Sequence, residues 1–189
     1  MPALVALYDA CVLYPAPLRD FLMHLALVDL FAARWTDAIH DEWTRNVLRD
    51  RPDLKPNQLR RTRDLMNAHV LDSLVTGYED LIPSLELPDP DDRHVLAAAI
   101  RTGADVIVTF NLVDFPAAAL EPHGIAALSP DDFVMSLVAL SAPNVLLAAR
   151  RHRASLKKPT KTAPEYLADL TRQGLPRAAS ALRSFEQML

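Results

Sequence analysis

Cysteine is nearly absent from this 189-residue chain: Cys11 stands alone, so no disulfide can form within it and a reducing compartment is the expected setting. Glycine is almost as scarce, at four residues, and the composition is neither fibrous nor disordered. No apolar run approaches the roughly 18 residues expected of a membrane span. The opening MPALVALYDACVLYP has no basic stretch ahead of its apolar run and does not read as a signal peptide. The six histidines show no ligand spacing, which argues against structural zinc. A soluble cytoplasmic protein without a membrane partner is therefore expected.

What is present is an ordinary globular composition, half hydrophobic and 23% charged, long enough for one α/β domain with a modest appendage. The formal net charge of −4 is unevenly spread. From Phe133 onward nine Lys or Arg face three acids, a balance of +6 that leaves −10 on residues 1–132. An acidic body with a basic tail points to divalent cations at one place and a polyanion or acidic partner at another. The plainer reading is two solvated faces of opposite sign.

Residues 3–8 form an apolar run typical of a buried parallel strand, and Asp9 ends it. The spacing predicts a helix over 18–33, a brief strand at 34–36, and a helix capped by Asp37 that runs through Glu42 to about Leu48. A charged helix is expected over 53–70, and Gly77, Pro83, Pro88 and Pro90 break the stretch 71–90. Asp91 and Asp92 precede a helix over 94–100 that stops at Gly103, and a β-branched strand follows at 105–109. Asn111 to Pro116 is the loop behind that strand, 124–128 is a short strand, and Pro130 opens the next helix. Beyond Leu140 the pattern is all helical: 144–156, a basic linker 157–164, then 165–172 and 176–189. Strands alternating with helices imply a parallel sheet covered on both faces. The expected division is an α/β domain over 1–138 and a helical extension over 139–189.

In an open parallel sheet, ligands sit beyond the carboxyl ends of the strands. Asp9 and the segment from Thr109 to Asp114 both follow expected strands at that end. Asp92 opens the helix leading into the second of them, and Glu42 lies in the helix after the second strand. Four acids far apart in sequence can thus converge. Carboxylates so close repel unless a cation stands between them. Hard oxygen ligands suit Mg²⁺ or Mn²⁺, which activate water and steady the leaving oxygen in phosphodiester cleavage.

Asp9-Ala-Cys-Val-Leu13, an acid near residue 40, Asp92 before an Ala-rich helix, and Thr109-Phe-Asn-Leu-Val-Asp114-Phe115 together resemble the PIN domain. The resemblance covers about residues 4–135, and it is most similar to the VapC-type toxins. It implies an α/β/α sandwich around a parallel sheet and Mg²⁺- or Mn²⁺-dependent hydrolysis of RNA. Asp9, Glu42, Asp92 and Asp114 would be the metal-binding, catalytic acids. Thr109 and Asn111 would orient them by hydrogen bonding. An antitoxin partner that blocks the site and a homodimer are implied in the same way.

The polar residue usual two positions after the first Asp is replaced by Cys11, a weaker hydrogen-bond partner. Asp89, Asp91 and Asp92 compete for one role, and Asp92 is chosen because the helix residues fall into register from it. Each acid has a plainer reading, Asp9 and Asp92 as helix caps and Asp114 as a turn former. Trp35 and Trp43 read as core or interface residues. Among other enzymes, a haloacid-dehalogenase-like phosphatase needs a second Asp where Cys11 stands. The alternative of another class is a catalytically silent PIN-fold module binding RNA or protein, against which stands the full set of four repelling acids. The stretch from Arg150 to Lys161 holds six positive charges and no acid. Arg150, Arg151, Lys157 and Lys158 are its candidate RNA-backbone contacts.

Overall fold

The computed structural model describes residues 4–189, so Ala3, at the head of the first expected strand, lies outside the described residues. Strand β1 (Leu4–Tyr8) leads through helices α1 (Ala10–Leu13) and α2 (Ala16–Ala26) to β2 (Phe31–Arg34). Helices α3 (Asp37–Asp50) and α4 (Pro56–His69) follow. Two 3-10 turns, Glu79–Ser84 and Pro90–Asp92, precede α5 (Arg93–Thr102) and β3 (Val106–Val108). Helix α6 (Ala117–Leu120), β4 (Ala126–Leu128), α7 (Pro130–Ser155), α8 (Ala163–Arg172) and α9 (Pro176–Arg183) complete the order.

The four strands form one parallel sheet in the order β2-β1-β3-β4. This is the expected α/β class with a C-terminal helical extension. The chain steps outward from β1 to β2, then returns to the other side of β1 with β3. The strand order therefore reverses between β1 and β3, and a crevice opens beyond their carboxyl ends. Tyr8, Ile107 and Val108 are fully buried, as strands covered on both faces require.

Two compact units emerge. The first holds the chain up to Tyr14 together with Phe31–Leu128; the second holds Pro15–Leu30 and Ser129–Leu189. The division expected from sequence, 1–138 and 139–189, runs differently. In the first unit α5 packs on β1 and β3, and α1 on α3. In the second, α2 and α9 pack on α7, and α8 on α9.

Local differences from the sequence reading have physical causes. The helix expected over 18–33 stops at Ala26, because Asp29 takes a left-handed conformation (φ 56°) and Phe31 to Arg34 pair with Leu4 to Leu7. Ladder hydrogen bonds outweigh the helical spacing of those residues. The cap of α3 is Thr36 rather than Asp37, its Oγ1 accepting from the Ile39 N–H at 3.0 Å. Helix α4 starts at Pro56 instead of Asp53, and the last expected helix ends at Arg183 before a short turn at Glu186–Met188. Thr162 caps α8 reciprocally with Glu165. The expectation that no apolar run is long enough to span a membrane is corrected: Pro130–Ser155 is long and apolar enough by length and composition. Its backbone breaks at Ser141 (φ −160°, ψ 89°), two residues before Pro143, so the run is two helical segments joined at a kink.

Candidate active site

Asp9 ends β1 and is 2% exposed. Its Oδ1 accepts from the Ala10 N–H at 2.6 Å, so it caps α1. Its Oδ2 accepts from Thr109 Oγ1 at 2.7 Å and from Cys11 Sγ at 3.1 Å. Thr109, fully buried at the end of β3, also accepts from the Asn111 N–H at 2.9 Å. Cys11 Sγ accepts in turn from the Phe110 N–H at 3.2 Å. The sulfur thus stitches the end of β1 to the loop after β3. Burial, then the charge of Asp9, pushes the thiol up to about 12, so it stays protonated and can donate. Cys11 occupies the polar role that the sequence reading found weakened.

The remaining acids line a cleft of about 630 Å³ with Ala38, Asp41, Glu42, Arg45, Asp89, Asp91, Asp92, His94, Asn111 and Asp114. Glu42 reaches it from α3 and Asp114 from the turn Leu112–Asp114. Asp92 stands at the N-terminus of α5 but makes no side-chain capping bond. Asp89 takes the capping work one turn earlier, accepting from the Asp91 N–H at 2.9 Å. The Asp92 carboxylate is therefore left to the cleft. Asn111 contributes its main-chain N–H to Thr109; among the described residues its amide makes no hydrogen bond to the acids.

The electrostatics record the convergence. Burial pushes the Asp92 carboxyl up to about 7, with Asp9, Asp89, Asp114 and Glu42 adding like-charge repulsion. Burial likewise raises Asp9, with bonds from Thr109, Cys11 and Ala10 pulling down and Glu42 pushing up. Two residues passed over in the sequence belong here. His94 Nε2 lies 3.5 Å from Glu42 Oε2, and its place two residues after Asp92 was the available signal. Arg45 lines the cleft one helical turn after Glu42. The donors are carboxylate and amide oxygens, the hard set that suits Mg²⁺ or Mn²⁺. Among the described residues no three His, Cys, Asp or Glu side chains stand close enough to hold an ion. The fit to a divalent cation thus rests on donor chemistry and mutual repulsion. Trp35 and Trp43 are fully buried; Trp35 Nε1 donates to Asn67 Oδ1 and Trp43 Nε1 to His40 Nδ1, so both are core.

A parallel sheet with an acid-lined cleft at its strand-order reversal defines the class. Residues 5–112 match the PIN domain, and the chain belongs to that family. Residues 130–184 match the VapC50 C-terminal domain. The chain is also similar to the "Putative ribonuclease VapC50" of Mycobacterium tuberculosis, 56% identical over 59 residues, 31% of this chain and 34% of the relative. The match thus spans about a third of that relative's length. No solved structure matches.

Proposed function

We propose that this chain is a divalent-metal-dependent endoribonuclease and the toxin of a type II toxin–antitoxin pair, acting in the cytoplasm. The observation that carries the reading is the convergence of Glu42, Asp92 and Asp114, from three separate elements, on one cleft, with burial and the neighbouring acids raising the Asp92 carboxyl to about 7. Membership of the PIN-domain family and likeness to the mycobacterial "Putative ribonuclease VapC50" support it. Asp9, Glu42, Asp92 and Asp114 would hold Mg²⁺ or Mn²⁺. A cation bound there polarises a phosphodiester and activates water. Thr109 and Cys11 keep Asp9 Oδ2 in place, and Asp92 would hold a cation in its ionised form. The cleft is wide and lined mostly by polar side chains, and a cation held by its acids would offset their repulsion of an RNA backbone. A cognate antitoxin that blocks the cleft, and a homodimer, are parts of the same reading.

The test is cleavage of RNA by purified protein with Mn²⁺. Activity should vanish in excess EDTA, return with added Mn²⁺, and be lost in Asp9→Asn and Asp92→Asn variants that remain folded. Undiminished cleavage in EDTA would sink the metal mechanism. Expression of the wild type alone should arrest growth and Asp114→Asn should relieve the arrest; normal growth with active protein present would remove the toxin role.

A further inference from the structure

We propose that Arg45 is an anchor for an RNA phosphate inside the acidic cleft. The inference rests on the ribonuclease reading for the identity of the polyanion. Ala38, Asp41, Glu42 and Arg45 recur at helical spacing, so one face of α3 forms one wall of the cleft. Among the described residues lining it, Arg45 is the only Lys or Arg. Asp41 lies four positions earlier, the separation at which an acid and a base pair on a helix. Asp41 is already taken: Arg63 of α4 pairs with it and reaches Asp37 at 3.1 Å. Glu42 is turned to His94. Arg45 is thus left without an ion pair or hydrogen bond among the described residues, although acids surround its cleft.

That vacancy has a chemical use. A cleft lined by carboxylates repels a nucleic-acid backbone, and a cation held by the acids is occupied with them. A guanidinium one turn from Glu42 supplies positive charge in the same cleft and presents a planar fork that matches two phosphate oxygens. Arg45 therefore serves as a positioning residue, fixing a phosphate on the strand that the acids act upon. The plainer role, a solvated surface arginine, predicts no effect on RNA.

Anisotropy of a labelled single-stranded RNA titrated with protein in EDTA, over a range of salt, separates the two. Replacing Arg45 by Gln should weaken binding roughly tenfold, the loss of one charged hydrogen-bonding contact, and make the salt slope shallower by about 0.7. Arg45→Lys should recover part of the affinity. In Mn²⁺-supported cleavage, KM should rise with kcat nearly unchanged, and the thermal midpoint should not move. Equal affinity and equal slope for R45Q overturn the anchor, whatever the cleavage result. A wild type that binds no RNA overturns it too. Arg45-dependent binding without cleavage under any divalent ion leaves the anchor standing and removes the nuclease reading.

Discussion

Asp92 shows how a carboxyl at a helix start can be left without capping work. An acid before a helix ordinarily caps it, but Asp92 makes no side-chain capping bond to α5, while Asp89 caps the 3-10 turn before it, and the Asp92 carboxyl lines the cleft. Its folded pKa of about 7 lies above the usual 3.8, so the folded protein holds the proton more tightly than the unfolded chain. The contribution to stability is then full below about 3.8 and is lost as pH rises through about 7. Asp92→Asn should accordingly stabilise the metal-free protein at pH 8 by about 1 kcal/mol, the shift being discounted because water screens this half-buried group. The advantage should shrink toward pH 4. Urea unfolding in EDTA checks this, and a variant less stable than the wild type at pH 8 would refute the repulsion. The acids themselves were legible because their types and order are linear information. Arg45 and His94 were not, since their roles depend on which neighbours are already paired across space.

At the scale of the element, α7 carries the most instructive side chain. His152 is 3% exposed, its Nδ1 lies 3.0 Å from the Tyr166 hydroxyl, and its Nε2 finds no hydrogen-bond partner among the described residues. Phe21 of α2 stacks on the ring at 5.8 Å, and His24 lies tilted against it at 5.3 Å. Burial, with His24 adding to it, lowers the imidazole to about 4. A depressed pKa means the unfolded chain takes the proton first. Its stability is thus present above pH 6.5 and lost as pH falls through 4. Calorimetry should show a loss of about 3 kcal/mol across that window, with His24, also lowered by burial, acting in the same direction. His152→Gln should flatten most of the slope; an unchanged slope would assign it to other groups. The sequence offered His152 only as one basic-looking residue in a charged run, because burial is decided by packing between helices.

Across the whole molecule, the basic charges of the C-terminal half divide into those bonded within the fold and those left exposed. Of the six cations between Arg150 and Lys161, two serve the fold: Arg153 donates to the Lys161 and Leu189 carbonyls, and Lys161 pairs with Asp169. Arg150, Arg151, Lys157 and Lys158 are exposed, the first two on the last turns of α7, where the sequence pattern also expects helix. As RNA-backbone contacts they would release counterions. Changing all four to Gln should weaken RNA binding and flatten its salt slope by as much as about 3. The same affinity and slope in the variant would make this stretch a protein-binding or merely solvated surface.

The α/β alternation, the order of the four acids and the opposite charges of the two halves were set by the sequence alone, because periodicity, residue type and charge are properties of the chain before it folds. Only tertiary structure decided that 31–34 is a strand, since its helical spacing yields to ladder bonds with β1. It also decided that residues 15–30 join the C-terminal helices, which depends on what they pack against. The same holds for the work of Cys11, whose sulfur acts through partners about 100 positions away, at Thr109 and Phe110. Pairing across such distances is settled by the sheet that brings the ends together, and no local pattern encodes it.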